Sequence, residues 1–338
     1  MKELRNLTEK FGKKEVFLKI LKIPISRRKK WDYLINDKLN ELDLNGNFKK
    51  EREELSFYKK EGIEFITFLD EEYPEILKKI PDPPLGLFVK GSFKKDFLGV
   101  SIVGTRRCSS YGKRIAEELG EFLSNHKITV ISGLAYGIDS AAHKGALKGS
   151  GFTYAILGSG VNYIYPSLNR GLAERIVKNG ALISEYPPDT PPLKFRFPER
   201  NRIISGLSKA VVVVEAPEKS GALITVSFAL EQGREVFAIP GPFYSEKSRG
   251  VHMLIRDGAQ ILVDFSDLIK FLGIEEKESK EVHLTEEEKA LLYRIPDTPT
   301  YVDNFLEDPS LLPILISLEE KGVVKSFPGN VYMRVKWR

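Results

Sequence analysis

The sequence contains very little cysteine, since Cys108 is the only one among 338 residues. A single thiol excludes an intrachain disulfide framework and fits a reducing compartment. The apolar runs are only as long as a strand requires, and the charged start of the chain lacks the apolar core of a secretory signal. We therefore expect a cytoplasmic protein without a membrane-spanning segment.

Motifs for the common enzyme chemistries are missing as well. There is no Walker A lysine motif, no Gly-x-Ser-x-Gly nucleophile elbow, and no Gly-x-Gly-x-x-Gly after the first strand of the main domain. The four histidines and one cysteine lack metal-ligand spacing. His143 lies among small residues of a predicted helix, which favours a structural histidine over a catalytic base. We predict no catalytic residue, no metal site and no cofactor.

Charge of either sign is not in large excess. The chain has 52 Lys and Arg against 47 Asp and Glu, a formal net charge of +5. This mildly basic balance permits a nucleic-acid partner but does not demonstrate one. Hydrophobic residues make up 42% of the chain, which is enough for packed cores, and the length of 338 residues indicates two or three domains.

Between residues 101 and 239 the sequence repeats a short β-branched run, a Gly or Ser turn and a helical pattern. This alternation predicts a parallel sheet covered by helices on both faces, with right-handed crossovers. Such sheets bind ligands at the carboxyl ends of their strands, where helix N-termini offer free N–H groups to anions. The runs are 101–103, 128–131, 154–157, 181–183, 211–214 and 236–239, and the helical patterns are 113–125, 138–149, 169–179, 222–232, 249–257 and 265–272.

Composition and periodicity divide the chain into five parts. In the last of them Thr285 is a predicted N-cap, a second helix spans 310–321, and a hairpin turns at 328–330. Helix, helix and hairpin are the outline of a winged helix. The five parts are a helical N-terminal domain (1–62), a connecting segment with two short strands packed on the core (63–98), the sheet domain (99–273), a Glu- and Lys-rich linker (274–283) and a small C-terminal domain (284–338).

Three turns at predicted strand ends, at 104–107, 158–162 and 220–222, are suited to phosphate binding. Glycine lets the backbone approach a phosphate, and arginine can grip it with two hydrogen bonds. The alternative at each position is a plain strand-to-helix turn with surface side chains. The candidate ligands in these turns are Arg106, Arg107, Gly158, Ser159, Gly160, Asn162, Ser220 and Gly221.

The densest basic and aromatic cluster lies at residues 194–202, where four cations surround one acid and two phenylalanines. Single-stranded nucleic acids are bound by this mixture, because cations follow the phosphates and aromatic rings stack on the bases. Structural roles are the alternative: Phe197 could belong to the core, and Arg200 could pair with Glu185 or Glu215. The candidate binding residues of this cluster are Lys194, Phe197, Arg200, Asn201 and Arg202.

Taken together, these segments closely resemble the DprA/Smf family, the DNA-processing proteins of bacterial transformation. The resemblance is strong over residues 63–273 and is specific as a combination, although each motif alone is not. It rests on segments 70–74, 83–91, 102–106, 132–139, 157–160, 165–169, 184–187, 197–206, 214–216, 220–225, 239–241 and 250–259.

The resemblance implies an α/β fold with an extended Rossmann-like parallel sheet, a helical N-terminal domain and a C-terminal winged-helix-like domain. It implies a non-enzymatic protein that binds single-stranded DNA, loads the RecA recombinase onto it in natural transformation and homologous recombination, and forms a homodimer. Many relatives carry a lysine where this sequence has Ser167, so that phosphate contact is missing unless Arg170 replaces it. By position, the family's DNA-contacting region would include Arg106 or Arg107, the 158–160 turn, Lys194 and residues 200–202, and its dimer surface would include His252, Ile255 and Ile261.

Two further hypotheses stay open. Glycine turns also suit a Rossmann-like nucleotide-processing enzyme of phosphoribohydrolase type, with Glu185 or Glu215 as the acid, although the turn at 220–225 lacks the paired glycines of those enzymes. The second open hypothesis is a pure scaffold protein with residual nucleotide affinity. In all three cases the helix at 310–320 offers no Lys or Arg before Lys321, so we expect the tail to serve a structural or protein-contact role instead of base readout.

Overall fold

The computed structural model describes residues 2–44, 47–274, 283–306 and 308–335. The chain forms two compact units, Met1–Leu268 and Ile269–Arg338. Most of the predicted linker, 274–283, lies outside the described residues. Within the described ranges, no helix is both long and apolar enough to cross a membrane.

The first unit is built from helices around one large sheet. The six strands predicted from β-branched runs are present close to their predicted positions, which confirms the α/β fold class. The strands are β1 (Ile63–Thr67), β2 (Gly86–Gly91), β3 (Gly99–Val103), β4 (Thr129–Ser132), β5 (Thr153–Ile156), β6 (Gly180–Ser184), β7 (Ala210–Val213), β8 (Glu235–Ala238) and β9 (Gln260–Ile261). The helices are α1 (Lys2–Phe11), α2 (Lys13–Lys22), α3 (Arg27–Ile35), α4 (Lys49–Lys60), α5 (Glu75–Lys78), α6 (Ser110–Asn125), α7 (Ile138–Ala146), α8 (Arg170–Lys178), α9 (Arg196–Gly206), α10 (Gly221–Glu231) and α11 (Arg249–Arg256), with α12 (Ser266–Phe271) at the boundary.

The nine strands form one sheet in the order β1-β2-β6-β5-β4-β3-β7-β8-β9. Neighbouring strands from β6 to β9 are parallel, as the alternation predicted. At the other edge, β2 runs antiparallel to both β6 and β1. Residues 63–98 are therefore more than a connection packed on the core, because they add two antiparallel strands to the sheet.

The strand order reverses next to β3, at the centre of the sheet. The chain moves away from β3 through β4, β5 and β6 and then returns to place β7 on the other side of β3. The turns that follow β3 and β7 are joined by a hydrogen bond of 2.7 Å from Thr105 N–H to the carbonyl of Glu215. In open α/β sheets, such a reversal leaves a crevice at the carboxyl ends of the two strands.

Two buried apolar clusters cover opposite faces of the sheet. Phe88 and Val89 are neighbours on β2 whose side chains enter different clusters, as the alternation along a strand requires. The cluster around Phe88 also contains Val16 and Phe17 of α2 and Leu34 of α3. The N-terminal helices, which we predicted as a separate domain, therefore share a core with one face of the sheet.

The second unit has an apolar core of its own. The predicted N-cap is confirmed, because Thr285 Oγ1 accepts a hydrogen bond from Glu288 N–H while the Glu288 carboxylate accepts one from Thr285 N–H. The predicted hairpin is present, and the winged-helix assignment stays a prediction. The elements are α13 (Glu286–Arg294), β10 (Thr300–Tyr301), α14 (Leu312–Glu320), β11 (Val324–Phe327) and β12 (Val331–Arg334), with β12 between β10 and β11 in the sheet.

His143 is a fully buried histidine on α7. Its Nδ1 lies 2.7 Å from Thr153 Oγ1, and this hydroxyl donates to the carbonyl of Val130 at 2.8 Å. The other ring nitrogen, Nε2, has no hydrogen-bond partner among the described residues. Because a second ring proton would be buried and unpaired there, burial lowers the pKa of His143 to about 3. This environment supports the structural role predicted from the sequence.

The buried imidazole makes stability depend on pH. The folded-state pKa lies below the unfolded value of about 6.5, so the unfolded chain binds the extra proton and stability falls as pH is lowered from 6.5 toward 3. Between pH 8 and pH 5 this histidine should cost about 2 kcal/mol of unfolding free energy. Urea unfolding at both pH values measures this decrease. From pH 8 to pH 5, His143→Gln should lose about 2 kcal/mol less unfolding free energy than the parent. An equal loss in His143→Gln and the parent would contradict the assignment.

Candidate nucleic-acid interface

The reversal of strand order opens a crevice of about 320 Å³ at the carboxyl ends of β3 and β7. Four parts of the chain line it: the turn after β3 at 103–107, residues Ala135 and Asp139 after β4, one side of α9, and segment 217–225, which leads into α10. The crevice brings together several of the predicted ligands, which are distant in sequence. Those that line it are Arg106, Arg107, Phe197, Arg200, Asn201, Ser220 and Gly221.

The turn after β3 is held in place from below by α7. Ile138 N–H donates to the carbonyl of Thr105, and Gly137 adopts a positive φ of 75° directly under the turn. A Cβ atom at Gly137 would lie 2.3 Å from the carbonyl oxygen of Thr105, so only glycine allows this approach. The turn thereby presents Arg106 and Arg107, both exposed, to the crevice. Neither guanidinium forms an ion pair with any residue that the structure describes, which leaves both free for an anion.

The basic and aromatic cluster at 194–202 folds mostly as helix α9, which the sequence analysis missed. The charged residues hid the helical period, although Pro198 in the first turn is a helix-start signal. The helix places the residues of the cluster in different environments. Phe197 and Asn201 face the crevice one turn apart, and Lys194 is exposed just before the helix. Asn201 Nδ2 donates to the carbonyl of Gly221 at 3.3 Å and so joins α9 to the start of α10.

Arg200 forms the floor of the crevice and is only 4% exposed. Its guanidinium donates to the carbonyls of Gly133, at 2.8 Å, and Ile156, and thus ties together the ends of β4 and β5. The buried carboxylate of Asp139 accepts from Gly133 N–H at 3.1 Å in the same region. Burial lowers the pKa of Arg200 to about 10 and raises the pKa of Asp139. Arg200 is therefore a buried cation whose Nη1 is committed to two backbone carbonyls and whose Nε donates to Asn201 Oδ1.

The structure corrects the expected orientation of Arg202, which is 2% exposed and points away from the crevice. Its guanidinium forms two hydrogen bonds with Glu185, at 2.9 and 2.7 Å, and a third with the carbonyl of Asp82. Arg27 of α3 completes the network, with contacts of 2.6 Å to Asp82 and 3.4 Å to Glu185. Arg202 cannot reach a phosphate without breaking a buried ion pair, so we remove it from the set of candidate DNA ligands.

The two candidate acids are both engaged in structural contacts. Glu185 pairs with Arg202, a salt bridge of the kind that the sequence analysis named for Arg200. Glu215 does not pair with arginine; its carboxylate accepts hydrogen bonds from the N–H and the hydroxyl of Ser109 at the start of α6. These partners give neither carboxylate a free face toward the crevice for acid catalysis.

The turn at 158–160 is buried and does not line the crevice. A Cβ atom at Gly160 would lie 2.1 Å from the carbonyl oxygen of Pro188, and Ser159 Oγ donates to the carbonyl of Tyr163 at 2.7 Å. Asn162 is exposed, but its side-chain amide is bonded to Asp189 and Lys90. The glycines of this turn serve close packing, Gly158 against Phe197 of the crevice wall and Gly160 against Pro188, and the turn itself does not line the crevice.

Two exposed tyrosines beside the crevice were missed as binding residues. Tyr136 and Tyr165 line a small hollow with Arg106 and Phe197. The rings of Tyr165 and Phe197 lie 5.4 Å apart, and the Arg106 guanidinium lies 5.6 Å from the Phe197 ring centre. Rings and a cation in contact form a surface on which a base can stack. The signal was present, since both tyrosines fall in segments that resemble the family, but their spacing alone does not indicate that the fold brings them together.

The remaining predicted residues lie at the surface away from the crevice. Ser167 and Arg170 are exposed at the start of α8. His252 of α11 is half-buried, with Nε2 3.0 Å from the carbonyl of Gly241, and Ile255 is half-buried against the core. Ile261 is half-exposed on β9, the edge strand of the sheet. Among the described residues, no group of His, Cys, Asp and Glu has the arrangement of a metal site.

Comparison with known proteins identifies relatives of more than half of the chain. The model of the family described as DNA recombination-mediator protein A matches residues 64–273. The chain is 43% identical over 220 residues to DNA processing protein DprA of Bacillus subtilis, covering 64% of this chain and 74% of that protein. It is 40% identical over 286 residues to protein Smf of Escherichia coli, covering 79% of this chain and 76% of that protein.

Two solved structures are similar in fold. The X-ray structure of DNA processing protein A from Streptococcus pneumoniae matches with a TM-score of 0.61 and 35% identity, covering 79% of this chain and 90% of that one. The structure of DNA processing protein A from Helicobacter pylori, reported for its single-stranded DNA binding mode, matches with a TM-score of 0.56 and 30% identity, covering 62% of this chain and 95% of that one.

The different settings of Arg106 and Arg202 predict different effects on stability. Arg202→Met leaves a buried carboxylate short of its main partner and should cost about 3–5 kcal/mol of unfolding free energy. Arg106→Met, at an exposed position, should change it by no more than about 0.5 kcal/mol. Urea unfolding measures both, and the double variant Arg202→Met with Glu185→Leu should recover part of the loss. Equal, small effects of the two arginine substitutions would refute the buried ion pair.

Proposed function

Because this chain belongs to the DNA recombination-mediator protein A family, we propose that it binds single-stranded DNA at the crevice and serves homologous recombination without catalysing a reaction. The relatives named for DNA processing, and the Helicobacter pylori protein reported with a single-stranded DNA binding mode, support this reading. It requires that the cations and rings described above be accessible to a flexible polyanion.

The observation that carries the proposal is the group of exposed cations around the crevice. Arg106 and Arg107 enter from the turn after β3, and Lys219 enters from the opposite wall. None of the three forms an ion pair with a described residue, in contrast to the buried Arg202, which pairs with Glu185. Three unpaired cations around one crevice create a positive potential that attracts a polyanion such as DNA.

The geometry favours a single strand over a duplex. A crevice of about 320 Å³ has room for a phosphate and its sugar but is too small for a double helix. Beside it, Tyr136, Tyr165 and Phe197 present aromatic surface that only an unpaired base can use. The start of α10 adds to this, because residues 220–222 line the crevice and a helix N-terminus favours an anion.

The finer parts of the function rest on the family. We propose RecA recombinase as the protein partner, natural transformation as one setting, and a homodimer formed through the surface of His252, Ile255 and Ile261. These activities place the protein in the cytoplasm, where both DNA and recombinase are present. For the second unit we propose protein contact, because α14 exposes Leu312 and Ile316 one turn apart and carries no Lys or Arg.

Binding to single strands should fall steeply with salt. The slope of log affinity against log salt should be about −0.7 for each phosphate contact. Arg106→Glu should weaken binding to oligo-dT and to mixed sequences alike, and its slope should be smaller by at least about 0.7, because a phosphate contact is lost. Fluorescence anisotropy over a salt series measures both quantities.

The matched control for this measurement is Arg175→Glu, which makes the same charge change on the exposed face of α8 and away from the crevice. Its salt slope should equal that of the parent. Salt-independent binding by the parent, or equal slopes for Arg106→Glu and Arg175→Glu, would rule out the crevice as the DNA site.

A further inference from the structure

Two large aromatic side chains stand almost fully in solvent on the loop after β8. Phe243 is 76% exposed and Tyr244 is 96% exposed. Their rings pack edge to face at 5.2 Å, and the other side of Phe243 stacks on His252 at 6.1 Å. These contacts orient the rings but cover little of their surface. An exposed pair of this kind, held in one orientation, is typical of a binding surface.

The pair borders a groove of about 540 Å³ whose opposite wall is segment 217–219. Pro217 and Lys219 line both this groove and the crevice. The groove therefore adjoins the crevice, and it shares no lining residue with the hollow of Tyr136 and Tyr165. A strand whose phosphates lie in the crevice would enter this groove with its next nucleotides.

The charges of the groove suit a base more than a phosphate. Lys219 and Arg249 are exposed and form no ion pair with any residue in the described ranges, but Glu218 and Glu246 also line the groove. The two cations and two acids balance, so the groove by itself attracts a polyanion only weakly. Affinity there must come from stacking on the aromatic rings, which is available to every base.

We propose that Phe243 and Tyr244 form a second base-stacking site, which binds nucleotides of the strand where it leaves the crevice past Lys219. This inference rests on the proposed function. The alternative occupant is a second copy of this chain, because Phe243 contacts His252, which belongs to the expected dimer surface. The position of the groove next to the crevice, with Lys219 in the lining of both, and the two exposed rings beside it favour the nucleic acid.

The test compares oligo-dT lengths from about 4 to about 16 nucleotides, the range over which single-strand binding folds vary in site size. For the parent, affinity should rise further once the strand is longer than the crevice. The double variant Phe243→Ala/Tyr244→Ala should lose that rise and bind the longest oligonucleotide at least about tenfold more weakly. The shortest oligonucleotides should bind the variant and the parent equally.

Three further variants separate stacking from other effects. Tyr244→Phe keeps the ring and should bind like the parent, whereas Tyr244→Leu keeps apolar bulk without a ring and should bind long oligonucleotides more weakly. Phe57→Ala removes another exposed ring, on α4, and should have no effect. Sedimentation equilibrium of the double variant should give the same oligomeric state as the parent.

The possible failures are distinguishable. If the parent binds no oligonucleotide, the proposed function fails first. If the parent binds and the double variant shows the same length dependence, only the second site is refuted. A double variant that changes its oligomeric state would assign the loop to a contact between copies of the chain and overturn the proposal.

Discussion

The hydrogen bond from Thr105 N–H to the carbonyl of Glu215 joins the two strand ends on which the rest of the interface depends. It connects the turns after β3 and β7 at the point where the strand order reverses. Glu215 also binds Ser109 through its carboxylate, so one residue fixes both the turn and the start of α6. Because both ends of the turn are fixed, the exposed side chains of Arg106 and Arg107 extend toward the crevice and solvent.

The arginines of the first unit fall into two groups with opposite roles. Arg200 and Arg202 are buried on α9. Arg200 donates to backbone carbonyls, and Arg202 donates to the carboxylate of Glu185. They hold α9 against the ends of β4, β5 and β6, and Arg27 extends the same network to the N-terminal helices. This rigid support allows Phe197 and Asn201, on the same helix, to keep a fixed position in the crevice. In the proposed function, affinity for DNA would rest on the exposed cations, whereas the buried ones fix the geometry of the crevice.

The sequence was sufficient for the strands of the parallel sheet, because buried β-branched runs followed by glycine turns have few other solutions. It was insufficient wherever the deciding contact joins distant residues. Arg202 looks like a DNA ligand until Asp82 and Glu185 are brought beside it, and the 158–160 turn looks like a phosphate cradle until residues 187–190 cover it. Tyr136 and Tyr165 are the opposite case: the sequence analysis did not select them, and only the fold brings them next to Phe197. Composition predicted a basic and aromatic surface, and packing decided which of its residues are exposed at the crevice.

The central claim is that the crevice between β3 and β7 is where a single strand lies. Hydrogen–deuterium exchange of the full chain with and without oligo-dT tests it most directly, because it reports on backbone N–H groups without altering a side chain. The account predicts slower exchange at residues 104–107 and 219–222 when the oligonucleotide is bound. Unchanged exchange at both segments, with protection confined to the second unit or to the N-terminal helices, would contradict it.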